Sequence, residues 1–199
     1  MAPRPDVSQQ RKSEILDAAA VVFSRAGFHE TRMDDVAEQA GVSKGTLYWY
    51  FESKEDLIFK LLDRMFEREF QKASELLQVE IPVREKLELI LDSTTQEIAE
   101  LEPLMPILFE FWGMVQRRDE VRRVMGRYYL DYLDVVVPLL QQGIEQGEFR
   151  QLDPRDVAVA MGAIIEGTII LWAAIPERID LKEDIRKGAS FILDVLIAD

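Results

Sequence analysis

The sequence lacks cysteine altogether and contains a single histidine, His29, in 199 residues. Without cysteine the chain can form no disulfide, no thiolate metal site and no thiol nucleophile. One histidine with no cysteine or second histidine to accompany it does not make a metal site, so we predict none. A glycine-rich phosphate loop and a G-x-S-x-G sequence are also missing, so an enzyme would have to work with carboxylates alone. We therefore predict a protein that is not an enzyme and needs no cofactor.

The sequence also lacks an apolar secretion signal at its start, MAPRPDVSQQRKSE, so we expect a cytoplasmic protein. One long apolar run does occur at residues 157–175, VAVAMGAIIEGTIILWAAI. A membrane span is one interpretation of this run, but Glu166 lies at its centre and no basic cluster flanks it. We favour a helix covered by protein and expect no membrane partner. A helix that is apolar on all sides needs neighbours on all sides, which indicates a subunit interface.

Strand-like alternation of apolar and polar residues is missing throughout, whereas helical spacing recurs along the whole chain. Gly27 is typical of the end of a first helix, and Thr31, Ser43 and Ser53 are typical of the starts of the next three. We predict an all-α protein of nine helices. A three-helix domain should occupy residues 1–55, and a larger helical domain residues 56–199.

The stretch AGVSKGTLYWYF, residues 40–51, has the pattern of a turn between two crossing helices. A small residue, Ala37, permits a close crossing, and Gly41 suits a backbone conformation that other residues rarely adopt. Val42, Leu47 and Phe51 fall on the inner face of the second helix. This pattern predicts a helix-turn-helix, although an ordinary helical hairpin has similar spacing.

The net charge of -13 does not exclude nucleic acid as a partner, because the acidic residues are unevenly distributed. Residues 1–60 contain eight basic and ten acidic side chains, and residues 61–199 contain sixteen and twenty-seven. Lys44 is the only charge between residues 39 and 51. Distant carboxylates are screened over about 8 Å at physiological salt. On a helical projection the outer arc of this segment consists of Lys44, Gly45, Thr46, Tyr48 and Trp49.

The longer string GFHETRMDDVAEQAGVSKGTLYWYFESKEDL, residues 27–57, resembles the DNA-binding signature of the TetR family of bacterial transcriptional regulators. Over the rest of the chain the resemblance rests on length and helical layout. It implies a ligand-responsive regulator, a repressor in most relatives of this appearance. Such a protein binds a palindromic double-stranded DNA operator as a homodimer, and a small effector releases it.

The resemblance also implies roles for individual residues of this region. Four positions would approach base edges or the adjacent backbone in the major groove: Lys44, Gly45, Thr46 and Tyr48. Three more would contact phosphates: Thr31, Tyr50 and Lys54. Simpler interpretations stay open, since tyrosines can be packing residues and Lys44 a solvated lysine. Asp34 and Asp35 depart from a strongly basic DNA reader and reduce the phosphate contacts expected of the second helix.

The segment LMPILFEFWGMV, residues 104–115, is apolar around nearly its whole circumference, which suits either a core helix or the wall of a ligand cavity. We predict a largely apolar or amphipathic effector. The candidate walls are Phe66, Met105, Phe109, Trp112, Tyr128, Tyr132, Met161 and Trp172, each of which could equally be core. Glu110 and Glu166 interrupt apolar runs and need partners, such as Arg123, Arg127 or a ligand.

The last two helices would form the dimer interface, again by the resemblance. Its predicted residues are Ile164, Ile165, Ile169, Phe191 and Val195. The main alternative is a helical dimerisation protein without DNA binding. Titration with DNA separates the two, because binding to phosphates depends steeply on salt.

Overall fold

A computed structural model describes residues 7–77 and 79–197, without the side chains of residues 7, 66, 68–70 and 72. Within these ranges the chain forms nine α-helices and one 3₁₀ turn, Glu102–Leu104, and the one β-bridge pairs Phe149 with Ile197. The predicted all-α class is confirmed, and the 3₁₀ turn is one short helical element beyond the nine predicted. The helices are α1 Val7–Glu30, α2 Met33–Gln39, α3 Lys44–Tyr50, α4 Lys54–Leu77, α5 Val83–Glu100, α6 Met105–Met114, α7 Asp119–Glu145, α8 Pro154–Ala174 and α9 Leu181–Leu196.

Short-range side-chain chemistry fixes most helix ends. Gly27 has φ +74°, so the regular part of α1 stops there, as predicted. Ser43 accepts a hydrogen bond from the Thr46 N–H at 3.0 Å and caps α3. Asp153 and Asp180 cap α8 and α9 in the same manner.

The start of α2 lies one residue later than the sequence indicates. Arg32, rather than Thr31, is the N-cap, and its N–H donates to Asp35 Oδ2 at 3.0 Å. Thr31 is 2% exposed, and its hydroxyl donates backwards to the Gly27 carbonyl at 2.7 Å. A hydroxyl between two helices can bond to the end of the first or the start of the second. Here the Thr31 hydroxyl bonds to the Gly27 carbonyl, near the end of α1.

Two compact units divide the chain. The first contains the residues up to Phe66 together with Glu102–Gly126. Its core includes Ile15, Phe23, Leu47, Phe51 and Phe111, each at most 1% exposed. Helices α1, α2 and α3 therefore share their interior with α6, which lies more than fifty residues further along the chain.

The second unit contains Glu67–Leu101 and the residues from Arg127 onwards. Helix α9 packs on both α5 and α8, and the buried cluster includes Leu87, Leu140, Phe149 and Leu193. The carboxylate of Glu148 accepts hydrogen bonds from the backbone N–H groups of residues 83 and 84, at 3.0 and 3.2 Å. These two bonds satisfy free donors at the start of α5 and hold it to the segment after α7.

The apolar helix α8 is not covered by its own chain. Only Ala158 and Met161 on it are buried, and 11% of its most apolar stretch lies inside the protein. By length and composition α8 could span a membrane, and it is the one described helix that passes this test. A single chain therefore does not cover α8, and the expectation that protein covers this helix through a subunit interface stays a prediction.

We predict that Gly143→Ala destabilises the second unit. A Cβ at this position of α7 would overlap the ring of Phe149, which is 3% exposed and has little room to move. Overpacking of this kind costs about 1–3 kcal/mol. Urea unfolding monitored by circular dichroism, at fixed protein concentration, measures the loss.

Gly126→Ala, in the same helix, is the matched control. No described atom beyond its own turn and chain neighbours lies within 4 Å of an added Cβ there. Alanine is favoured over glycine inside a helix by about 1 kcal/mol, so this variant should be as stable as the parent or more so. Equal losses in the two variants would contradict the packing argument.

Candidate nucleic-acid interface and effector cavity

Helices α2 and α3 form a helix-turn-helix whose turn is fixed by backbone geometry. Gly41 has φ +64°, and the Val42 N–H donates to the Ala37 carbonyl at 3.0 Å. Val36 and Ala37 on α2 are buried, as is Leu47 on α3. The small side chain at residue 37 and the glycine at residue 41 thus have the roles that their spacing predicts.

The outer arc of α3 faces solvent, as the helical projection predicts. Tyr48 is 45% and Trp49 73% exposed, and Lys44 and Gly45 are exposed too, whereas Leu47 and Phe51 are fully buried. Thr46 is half-buried, with its hydroxyl 2.8 Å from that of Ser43. An exposed aromatic arc that includes a lysine is a surface available for a groove.

Lys44 is paired within the protein, which the sequence interpretation missed. Its ammonium lies 2.8 Å from Asp34 Oδ1 and 3.0 Å from Oδ2, and both side chains are exposed. The hydrogen bond and the charge of Asp34 raise the pKa of Lys44. Asp34 therefore orients the lysine beside the first turn of α3 and also competes with DNA for it. The ten-residue separation of the pair gives no periodic signal in the sequence.

The three predicted phosphate contacts differ in how they are placed. Lys54 donates to the carbonyls of His29 and Thr31 at 3.0 and 2.9 Å, and its ammonium lies 4.7 Å from the centre of the Phe28 ring. Two of its three donors are thus used to tie α4 to the end of α1. Thr31 is buried with its hydroxyl already bonded, so it offers no hydroxyl to a phosphate in this conformation. Tyr50 is half-buried, with its ring edge-on to Trp49 at 4.5 Å.

Helix α6 packs on the end of α1 within the first unit. The ring of Phe111 lies edge-on to Phe28 at 5.6 Å and to Phe59 at 5.3 Å. His29 Nε2 lies 3.5 Å from Glu110 Oε2, a separation without hydrogen-bond alignment. The partner of Glu110 in the described structure is therefore His29 rather than an arginine, and the whole contact belongs to the first unit.

A cavity in the second unit lies between α5, α7 and α8, with one residue from α4. The volume that the centre of a water molecule can reach in this cavity is about 50 Å³. All the space not filled by protein atoms, including the part open to solvent, is about 700 Å³. Room of about 50 Å³ on this measure holds a few water molecules, so a drug-sized ligand must widen it. The lining residues are Ala73, Leu87, Ile90, Leu91, Thr94, Tyr128, Tyr129, Tyr132, Val135, Val136, Met161, Gly162, Ile165 and Glu166.

The polar groups of this cavity are concentrated on one side. The Tyr129 hydroxyl donates to Glu166 Oε1 at 2.9 Å, and the Tyr132 hydroxyl donates to the Ala158 carbonyl at 2.8 Å. Burial raises the pKa of Glu166, and the bond from Tyr129 partly opposes this. Burial is also the main cause of raised pKa values at Tyr129 and Tyr132. Burial in the cavity therefore favours the neutral forms of all three groups.

The cavity includes only part of the predicted effector site. Tyr128, Tyr132 and Met161 line it. The other candidates are not among its lining residues: Met105, Phe109 and Trp112 belong to the first unit, Trp172 lies further along α8, and the side chain of Phe66 lies outside the described residues.

Two features of the cavity were missed. Tyr129, rather than Arg123 or Arg127, is the partner of Glu166, and both arginines are exposed. Helix α5 contributes Leu87, Leu91 and Thr94 to the cavity. Their helical spacing in the sequence predicts that they share one face of a helix, but it does not predict that this face lines a cavity.

Helices α8 and α9 carry an exposed apolar face. Of the predicted interface residues, Phe191 is 72% and Val195 63% exposed. Ile164, Ile165 and Ile169 are half-buried, and Ile165 also lines the cavity. A shallow groove on this face is lined by Val157, Ala160, Ile192 and Leu196 as well. Apolar surface of this extent marks a contact face for another molecule.

An exposed second helix on a helix-turn-helix defines the chain as a DNA-binding protein of that class. Residues 15–61 match the family described as "Bacterial regulatory proteins, tetR family", and residues 83–196 match "BetI-type transcriptional repressor, C-terminal". The HTH-type transcriptional regulator TtgR of Pseudomonas putida is 31% identical over 200 residues, which span 95% of this chain and 92% of that protein. The chain belongs to the TetR family of bacterial regulatory proteins, and it is a ligand-responsive transcriptional regulator.

Solved structures share the fold. SmeT, the repressor of the Stenotrophomonas maltophilia multidrug efflux pump SmeDEF, has a TM-score of 0.78 at 22% identity, over 94% of this chain and 91% of that one. The regulator FadR from Bacillus subtilis, in complex with stearoyl-CoA, has a TM-score of 0.76 at 25% identity, over 92% and 98%.

We predict that Asp34→Asn tightens binding to operator DNA by roughly two- to fivefold, the range expected when an exposed ion pair no longer competes for Lys44. Fluorescence anisotropy with a labelled operator at fixed salt measures the change. Asp34→Asn also removes a negative charge near the DNA, so the Lys44→Ala and double variants complete a mutant cycle. The prediction fails if Asp34→Asn has the same effect with and without the lysine.

We predict that Glu166→Gln flattens the dependence of stability on pH. Because burial raises the pKa of Glu166, the folded chain holds this proton more tightly than the unfolded chain. The wild type should therefore lose stability as pH rises from about 4.5, the ordinary value, through the raised pKa. Glutamine keeps the acceptor for Tyr129 but not the charge. The stability advantage of Glu166→Gln should accordingly be larger at pH 8 than at pH 5.

Tyr129→Phe tests the pKa of Glu166 by removing its hydrogen-bond donor. It removes the hydrogen bond that lowers the pKa of Glu166, so the pH range over which stability falls should extend upwards. Urea unfolding at several pH values and one protein concentration compares the three proteins. Parallel pH profiles for the wild type and Glu166→Gln would rule out a buried, neutral-leaning carboxyl group.

Proposed function

We propose that this chain is a cytoplasmic repressor that binds a palindromic operator as a homodimer and is released by a small, largely apolar or amphipathic effector. The observation that carries the proposal is the outer arc of α3, exposed on a buried helix-turn-helix scaffold. The division of labour follows the predicted domains. Residues 1–55 bind DNA, and residues 56–199 bind the effector and the second subunit.

In the proposed complex α3 lies in the major groove. Lys44, Gly45, Thr46 and Tyr48 face base edges or the adjacent backbone, and Tyr50 contacts a phosphate. Lys54 and Thr31 contribute to this interface mainly by positioning the helices. Their polar groups already form hydrogen bonds at the junction of α1, α2 and α4.

Dimerisation through α8 and α9 supplies the second recognition helix. Phe191, Val195 and the outer residues of α8 form an apolar face that two identical chains can bury against each other. Two copies of α3 must then lie about 34–36 Å apart to enter successive major grooves. Protein rather than lipid covers α8 in this arrangement, which accounts for its apolar surface without a membrane.

Effector binding changes the spacing because a drug-sized effector must widen the cavity. Widening it displaces α7, which provides Tyr128, Tyr129 and Tyr132 to the cavity and residues 119–126 to the first unit. The effector then favours a conformation with the wrong spacing for DNA. Its effect on operator affinity equals the effect of the operator on its own affinity.

The test begins with selection of genomic fragments bound by the purified chain, which yields the operator. Wild-type protein should bind it with a steep negative salt dependence, because each phosphate contact adds about -0.9 to the slope of log affinity against log salt. Phe191→Glu places a charge in the apolar interface and should give a monomer that loses operator binding. Light scattering measures the mass, and anisotropy measures the affinity.

Arg186→Glu is the control for charge on α9. Residue 186 is exposed and lies five positions from Phe191, about 140° round the helix. This variant should stay dimeric and bind the operator. A wild-type chain that is monomeric at micromolar concentration, or a salt slope near zero, would favour a protein that does not read DNA.

A further inference from the structure

The cavity in the second unit has one strong electrostatic feature, the carboxyl group of Glu166. Its described lining contains no lysine, arginine or histidine. Tyr129 donates a hydrogen bond to this carboxyl group at 2.9 Å. The other walls are aliphatic side chains, Met161 and the tyrosines of α7.

A carboxylate in such surroundings is unfavourable unless a positive charge accompanies it. Burial accordingly penalises the charged form and raises the pKa of Glu166. A ligand that brings a positive charge removes this cost and gains a charge-assisted contact in a medium of low polarity. Among the described lining residues, Glu166 therefore supplies one half of an ion pair, and a cationic ligand would supply the other.

The rings around the carboxyl group favour one kind of cation. Tyr128, Tyr129 and Tyr132 line the same cavity, and the rings of Tyr128 and Tyr129 stand edge to face at 5.1 Å. Aromatic faces attract weakly hydrated organic cations. Beyond them, Leu87, Val135 and Val136 continue the wall with apolar surface that suits a hydrocarbon body.

We propose that the cavity binds an organic cation with an apolar body, whose charged group lies between Glu166 and the tyrosines of α7. This inference rests on the proposed role of the cavity as the effector site and specifies the chemical class of the effector. Anions are disfavoured because they would lie beside a carboxyl group with no basic residue in the described lining. Neutral ligands gain no charge-assisted contact with the carboxyl group.

Three probes with one hydrocarbon body test the charge preference. Isothermal titration calorimetry of the full chain, without DNA, compares decyltrimethylammonium, 1-decanol and decanoate below their aggregation limits. The cation should bind at least about tenfold more tightly than either other probe. Equal or tighter binding of decanoate or decanol would overturn the proposal, and decanoate would then indicate an acyl-type effector.

Substitution of the carboxyl group locates the effect. Glu166→Gln should weaken the cation by at least about tenfold and leave decanol unchanged, since glutamine preserves the shape of the wall and the acceptor for Tyr129. Glu110→Gln changes a carboxyl group that does not line the cavity and should alter neither probe. An unchanged affinity of Glu166→Gln for the cation would overturn the assignment.

A separate measurement distinguishes this inference from the proposed function. Operator affinity is measured with and without a saturating concentration of the cation. If the cation binds through Glu166 but leaves operator affinity unchanged, the binding site is correct and its role as the effector site is wrong. If the operator is bound and the cation is not, the regulator is confirmed and the cation class is wrong.

Discussion

The structure depends on a constraint at α8, whose apolar surface is larger than one chain can cover. On its inner side Met161 and Glu166 line the cavity, and Ala158 joins the core. On its outer side α8 shares an exposed apolar face with Phe191 and Val195 of α9. A single helix thus forms a wall of the proposed effector site and part of the proposed subunit contact. Any displacement that widens the cavity at α8 must be accommodated at that contact, since packed interiors resist continuous deformation.

The DNA-reading unit shows how an acidic protein can present a local basic surface. Two of its lysines, Lys44 and Lys54, are held by specific partners. Asp34 binds Lys44 at the surface, whereas backbone carbonyls and the Phe28 ring bind Lys54 at the junction of three helices. The first arrangement is exchangeable, because phosphate or guanine can replace a solvated carboxylate. The second is structural, because breaking it would leave two carbonyls unsatisfied.

Local features of the fold were predictable from sequence, and distant pairings were not. Helix ends are fixed by local conformation or by contacts within a few residues, as at Gly27, Ser43, Asp153 and Asp180. Such local features can be predicted from the neighbouring sequence. The Tyr129–Glu166 bond joins residues 37 positions apart, and no spacing rule connects them. The aromatic character of α6 indicated burial correctly for Phe111, but composition does not say which unit a buried helix belongs to. For this reason the prediction combines Met105, Phe109 and Trp112 of the first unit with residues that line the cavity of the second.

The small volume of the cavity affects how tightly any effector would bind. The observed dissociation constant combines the intrinsic affinity of the widened form with the small fraction of molecules that adopt it. If ligands of different shape require the same widening, its free-energy cost is common to all of them. The order of their affinities then reflects their contacts with the widened cavity. A substitution that loosens the packing of α7 on α8 would accordingly sensitise the regulator to its whole range of ligands at once, in exchange for weaker repression in their absence.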